Sequence, residues 1–370
     1  MQKTSRPRRI HPGWYAGTFV VVLAVVAQVL YSTGMYGAWR DGRSVDRACG
    51  GNLAQGGLEG ALGSSHSHAE DLGSGDGALG DCLVKGSSGP HSALQMTLRW
   101  SADAVSTAET RARFGDLRNG YRGAVAPLGA GWPGVVRNDG TPSVLVSLDC
   151  ADDPAKSLVV TGTLTGPPPG AQSDPAVLTG LGRVTAETAL DAAGRHGCRT
   201  SGGQRLTRVT APPYGTGRLP SEPLGRAAGS CSPLRSLASA AAHDGVPEAV
   251  EFPTDARAPQ VNCYLATRAG AKAGYGLYAF YGTSAKAFRE KGGAPALKLP
   301  DEPQDFASAT AACPGSSEPA TFLVTRLYDT DTRTYPVAHY SPDFANAALK
   351  AFADSETKRR GCDTVRPGRS

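Results

Sequence analysis

The longest apolar stretch of the chain lies near its start. Residues 14–36, WYAGTFVVVLAVVAQVLYSTGMY, run 23 positions without a charged side chain. At about 1.5 Å per helical residue they reach roughly 34 Å, enough to span a bilayer with some tilt. Trp14 and Tyr15 sit at one end and Tyr36 and Trp39 at the other, where the aromatic belts of a spanning helix lie. Beyond residue 40 the apolar runs shorten to strand length. From Cys82, CLVKGSSGPHSALQMTLRW predicts strand, loop and strand, with a helix to follow. SVLVSLDC, ending at Cys150, predicts a strand that leads into another, SLVVTGTLTG. CYLATRAGAKAGYGLYAFYGTSAKAFREK from Cys263 repeats strand, loop, strand and helix; SATAAC and TFLVTRLYD repeat the second pair of strands. Two long small-residue segments start at SDPAV and SPDFA. Each has a polar N-cap candidate followed by proline, Asp174–Pro175 and Ser341–Pro342, and each ends in basic residues and glycine, as helix termini favour.

The cysteines divide this series into two. Cys49, Cys82, Cys150 and Cys198 are separated by 33, 68 and 48 residues; Cys231, Cys263, Cys313 and Cys362 by 32, 50 and 49. Cys49 and Cys231 each introduce a segment expected to be helical. The pattern therefore predicts a tandem repeat. Each copy is read as helix, two strands, helix, two strands, helix: an α+β domain with an antiparallel sheet covered by helices on one face. The expected organisation is a cytoplasmic tail (1–13), a transmembrane helix (14–36), repeat 1 (45–198), a linker (199–227), repeat 2 (228–362) and a C-terminal tail (363–370). Four cysteines per copy allow three connectivities. Sequential pairing, Cys49–Cys82, Cys150–Cys198, Cys231–Cys263 and Cys313–Cys362, keeps each bridge inside one copy with similar loops, and is the expectation.

Charge adds a direction. Lys3, Arg6, Arg8 and Arg9 precede the apolar run without an acidic residue, so four of the five net positive charges lie there. By the positive-inside rule the N-terminus is expected in the cytoplasm, although Arg40, Arg43 and Arg47 after the span reduce the asymmetry. All eight cysteines follow the span, which matches an oxidising exterior. A cleaved signal peptide with FVVVLAVVA as its apolar region is the alternative, but no clean A-x-A site follows. The remaining chain is nearly neutral and lacks the field that draws nucleic acid. With 47 glycines and 27 prolines, it is expected to be rich in turns.

Candidate chemistry is sparse. No C-x-x-C pair supports zinc, and no G-x-S-x-G supports a nucleophile elbow. His66, His68, Glu70 and Asp71 in HSHAED form a conceivable metal cluster, but a Gly/Ser-rich solvated loop is the simpler reading. GDGALG (75–80) precedes a strand instead of following one, and reads as a turn. YDTDTR (328–333) reads as a hairpin turn. His91, His196, His243 and His339 show no triad context. No catalytic residue, cofactor or metal is assigned. Repeat 1 carries 18 extra residues between its second and third cysteines, within 117–140. Tyr121, Arg122 and Trp132 there make a candidate binding loop. The alternative is an extra hairpin, VVRNDGTPSVLV, turning at Asn138–Asp139–Gly140 with Trp132 packed on the sheet. The arginine-rich linker 199–230 reads as a solvated, proline-stiffened connection, with anion binding as the alternative.

ACGGNL, APLGAGWPGVV, LVSLDC and a closing helix ending in GC together resemble the extracytoplasmic domains of actinobacterial single-pass membrane proteins of unknown function. They are also similar to small actinobacterial lipoprotein domains. The likeness covers most of residues 40–362 and rests on cysteine frames and turns. It implies a cell-envelope location and a disulfide-stabilised α+β fold, and brings no catalytic residues. The lipoproteins carry a cysteine directly after their signal; here the first is Cys49. Two functions stay open at this level: a non-enzymatic envelope module with a protein or polymer partner, anchored in the lipid bilayer through 14–36, or an envelope hydrolase or transferase with a site built from scattered residues.

Overall fold

The computed structural model describes residues 25, 28, 35–73, 77–87, 92–104, 114, 116–167, 169–212, 219–268, 272–297 and 304–368. The expected cytoplasmic tail and all but the last two positions of the expected membrane span lie outside this set, apart from 25 and 28. No helix of the described residues is long and apolar enough to cross a membrane.

The fold is α+β, with two seven-stranded antiparallel sheets. In the N-terminal half, α1 (Met35–Gly51) and α2 (Leu58–Leu62) precede β1 (Ser67–Asp71), β2 (Ala78–Gly86), β3 (Ala93–Trp100) and α3 (Ser101–Ala104). Then come β4 (Val125–Pro127), β5 (Gly134–Asn138), β6 (Pro142–Cys150), β7 (Asp153–Thr165) and α4 (Pro175–Arg195). The C-terminal half contains β8 (Glu222–Pro223), α5 (Ala238–His243), β9 (Glu248–Val250), β10 (Gln260–Ala266), β11 (Ala273–Phe280) and α6 (Gly282–Glu290). It closes with β12 (Phe306–Ala311), β13 (Ala320–Arg326), α7 (Pro342–Arg360) and β14 (Arg366–Pro367). The first sheet is ordered β1-β2-β3-β7-β6-β5-β4 and the second β14-β12-β13-β11-β10-β9-β8. Read from β1 and from β9, both follow one order over five strands: first, second, third, last, last but one. The first sheet then extends through β5 and β4, and the second through β14.

The local chemistry of the long helices is as the sequence predicts. Asp174 caps α4 by accepting from the Ala176 N–H at 2.8 Å, and Ser341 caps α7 by accepting from Phe344 at 3.3 Å. Gly361 ends α7 in the left-handed conformation, φ 67°. Four disulfides join Cys49–Cys82, Cys150–Cys198, Cys231–Cys263 and Cys313–Cys362, the sequential pairing.

The two sheets are buried differently. Along β2 and β3 buried and half-buried positions alternate, so Cys82, Val84, Leu94, Met96 and Leu98 face the helices while the other face meets solvent. Every position of β10, β11 and β13 is buried. One face of that sheet is covered by α7 through Phe344, Ala345, Ala348, Leu349, Phe352 and Ala353. The other is covered by α6 and by Phe114, Leu117, Ala124 and Ala126 of the N-terminal half. The two halves therefore share a core.

Several expectations need correction. HSHAED is not a loop, because Ser67–Asp71 forms β1, an extra strand that pairs with β2; in the second sheet the short β9 pairs in the same way with β10 and is itself followed outward by β8. β1 is short and polar, as edge strands tend to be, whereas β9 lies between β10 and β8 and buries Ala249 and Val250. Cys49 does not start a helix. It ends α1, in a turn where Cys49 and Gly50 take positive φ of 54° and 65°. The linker is not simply solvated: Leu206, Val209, Leu219, Leu224 and Ala227 are buried, and Thr179 of α4 accepts from the Val209 N–H at 2.9 Å. Arginine-rich spacing concealed this apolar face. YDTDTR does form a turn, in which the Asp329 carboxylate accepts from Asp331 and Thr332.

Candidate binding cleft between the two sheets

The seam between the halves is built by the extra residues of the first. Asn262 of β10 pairs its side-chain amide with both backbone groups of Val125 on β4: the Val125 N–H donates to Oδ1 at 3.1 Å, and Nδ2 donates to the Val125 carbonyl at 3.2 Å. A side chain thus completes an edge that a neighbouring strand would otherwise satisfy. Tyr278 donates to the Leu117 carbonyl at 2.8 Å. Arg118 enters the C-terminal half, where Nη2 lies 2.8 Å from the Asp305 carboxylate and 3.0 Å from the Tyr335 hydroxyl.

The three residues of the candidate loop are not brought together at a surface. Trp132 is 5% exposed and donates from Nε1 to the Gln204 carbonyl at 2.7 Å. Its ring lies so close to the linker that a Cβ on Gly202 would come within 2.7 Å of it. Tyr121 is half-buried, its ring 5.3 Å from that of Tyr264 in an edge-on contact. Arg122 alone is exposed. The segment makes the hairpin of β5 and β6, turning at 139–141. Trp132→Ala is expected to destabilise the chain by about 3–5 kcal/mol, the range for truncating a buried large aromatic; equilibrium urea unfolding measures it.

One end of the seam stays open as a cleft of about 280 Å³. Pro133, Ser147 and Asp149 line it from the first half, and Arg257, Tyr281–Thr283, Cys313–Ser316, Arg359 and Arg360 from the second. The C-terminal turn of α7 forms its floor. Glu356 is fully buried there, accepting from the Tyr281 hydroxyl at 3.0 Å and from Arg359. Burial first, and then the adjacent Glu356, hold the Tyr281 phenol well above its ordinary range, so it remains a donor. The Arg360 guanidinium stacks 3.3 Å above the Tyr281 ring and donates to the carbonyls of Ala258 at 2.5 Å and Asp255 at 3.4 Å. Burial lowers its pKa from the ordinary value, though a guanidinium stays charged at physiological pH. Arg257 reaches back to the linker, donating to Ser201 at 3.0 Å and Gly202 at 3.4 Å. Asp149 accepts from Ser157 at 2.7 Å; burial raises its pKa against that hydrogen bond and against the charge of Arg257.

Among the described residues no histidine lines the cleft. His68 lies instead 3.5 Å from Asp41 on the first sheet's edge, and His196 packs edge-on to Trp100. Among the described residues no group of three or more His, Cys, Asp or Glu side chains converges as a metal site. A larger, more open groove of about 770 Å³ runs over α2 and α4. Its Arg183 is engaged with the Leu206 carbonyl at 2.6 Å, and it gathers less convergent chemistry. Sequence reasoning missed the cleft residues. DARAPQ carried no motif, and KRRGC was read only as a helix end. No protein-family model matches the chain, and neither does any curated protein or solved structure.

Proposed function

We propose that this chain is a membrane-anchored, extracytoplasmic binding module of the cell envelope. In this reading residues 14–36 span the bilayer, the N-terminus is cytoplasmic, and the domains from residue 40 onward stand outside. The two halves are tandem copies of one α+β domain. The common strand order and the matched cysteine frame support that reading. Extra residues of the first copy then became the seam, which welds the pair. The cleft at the end of the seam is the binding site, and it carries the proposal: it collects groups from both halves and offers convergent hydrogen-bond donors. Its guanidinium groups and hydroxyls can orient a ligand through hydrogen bonds.

Two measurements test this. Protease added to intact protoplasts is expected to digest the domains; protection would overturn the topology. Full-length protein in detergent is expected to co-sediment with purified cell-wall polymer. Ala256→Trp, at an exposed position on the cleft lining, is expected to reduce that retention at least about tenfold, which corresponds to about 1.4 kcal/mol. Unchanged retention would remove the cleft from the function.

A further inference from the structure

Resting on the reading of the cleft as the binding site, we propose that its occupant is an oxyanion, a carboxylate or phosphate group, held between the guanidinium groups of Arg257 and Arg360. The charges around the cleft motivate this. Glu318 is paired with Arg289, and Glu356 with Arg359. Those pairs cancel. Among the described residues neither Arg257 nor Arg360 has a carboxylate within ion-pair distance; each is held in place by backbone carbonyls, with Asp149 acting on Arg257 and Glu356 and Asp255 on Arg360 only at longer range. Two guanidinium groups anchored in this way on one cavity are pre-organised for the forked recognition that carboxylates and phosphates accept.

The remaining lining agrees. The hydroxyls of Ser147 and Thr283 meet across the seam at 3.2 Å, and both line the cleft. Gly282 and Thr283 begin α6, whose first N–H groups lack intrahelical acceptors and favour negative charge. At about 280 Å³ the cavity is at the lower end of ligand sites. It suits one anionic group and a short part of its carrier, such as the acidic end or one acidic unit of a polymer.

Asp149 opposes the anion from the wall of the first half. It is the lining carboxylate without an ion-pair partner among the described residues, facing Arg257 at longer range, with Tyr281, Glu318, Glu356, Arg359 and Arg360 on the opposite elements. Protonating it leaves the cleft more cationic. Because desolvation raises its pKa, binding tightens as pH falls toward the carboxylate range, in the same direction as at a site whose basic group gains a proton.

The test is isothermal titration of the full chain in detergent with inorganic phosphate and, separately, glutarate. Saturable binding of either supports the proposal, and the arm that binds tighter identifies a phosphoryl or a carboxylate source. Arg257→Gln changes an exposed side chain and is expected to weaken binding at least about tenfold, the loss of a charge-assisted pair of hydrogen bonds. Sulfate, whose charge is constant over the range, is the probe for pH: affinity is expected to rise several-fold on acidification. Asp149→Asn is expected to bind it more tightly at neutral pH and to flatten the dependence. Binding of neither anion, or equal binding by Arg257→Gln, overturns the proposal. If the anions fail while Ala256→Trp still abolishes polymer retention, the cleft takes an uncharged ligand and the functional reading stands. If Ala256→Trp has no effect, that reading itself falls.

Discussion

Arg118→Ala is expected to lower stability by about 3–5 kcal/mol and to loosen the two halves from each other. The arginine is 8% exposed and reaches three partners in the other half: Asp305, Tyr335 and the Leu297 carbonyl. Its own carbonyl accepts from the Tyr328 N–H at 2.7 Å, so the backbone is tied across the seam as well. Asp305 is 1% exposed. Once Arg118 is removed, its nearest remaining guanidinium is Arg326 at 3.7 Å, which is itself stacked 3.8 Å over the Tyr335 ring. Removing one member of a buried charge pair costs far more than the pair contributes, because the other charge remains desolvated. Net stabilities are of order 5–15 kcal/mol, so the loss is a large fraction of the total. Arg122→Ala, four residues on and exposed, is the control and is expected to stay within about 0.5 kcal/mol of wild type. Equilibrium urea unfolding followed by separate probes on each half checks both. The wild type is expected to unfold in one transition, because the shared core couples the halves. Coincident transitions and an unchanged midpoint in Arg118→Ala would show that the seam is held by its apolar contacts alone.

The sequence reached the frame of this fold more readily than its site, for physical reasons visible in particular residues. Capping chemistry is local, so Asp174–Pro175 and Ser341–Pro342 marked the starts of α4 and α7 correctly. Cysteine spacing is a covalent pattern, and it yielded the four bridges. Short strands are different. Ser67–Asp71 is defined by the partner it joins, and its polar residues carry no alternation to read; Glu248–Val250, inside its sheet, is too short at three residues to show a period. The linker failed for a related reason: Leu206 and Val209 are isolated apolar positions among arginines, and only the surface of α4 gives them a place. Trp132 was legible as a hairpin residue but equally as an exposed anchor, since burial depends on glycines 70 residues later in the chain. The cleft depends most on tertiary placement. Asp149, Arg257 and Arg360 lie on three distant segments, and the last helical turn of α7 was explained adequately by its dipole. Nothing local indicated that Arg360 would fold back over Tyr281.

Breaking the Cys313–Cys362 bridge is expected to have the second large effect, and to come first on reduction. The bridge closes a sequence separation of 49 residues, against 48 for Cys150–Cys198. The chain-entropy contribution is therefore nearly equal, about 4 kcal/mol for each. Exposure separates them. Cys150 and Cys198 are each 4% exposed, and the four remaining partners of the other two bridges are fully buried, whereas Cys313 and Cys362 are both only partly buried and Cys313 lines the cleft. Thiol–disulfide exchange requires an approaching thiolate to reach a sulfur, so a mild titration with dithiothreitol is expected to open this bridge before the other three. Quenching with a thiol-labelling reagent and peptide mapping reads the order directly. The consequence goes beyond stability, because Cys362 anchors the turn of α7 that supplies Glu356, Arg359 and Arg360. After reduction that turn keeps the Cys362-to-Thr357 and Asp363-to-Ala312 backbone hydrogen bonds and the short β12–β14 pairing. Cys313→Ser with Cys362→Ser is thus expected to cost about 2–4 kcal/mol in urea unfolding and to weaken anion binding at the cleft. Cys150→Ser with Cys198→Ser should cost a similar amount of stability, while binding at the cleft falls less because α7 remains anchored. Equal loss of binding in the two double variants would mean that the bridge at the cleft acts only through global stability.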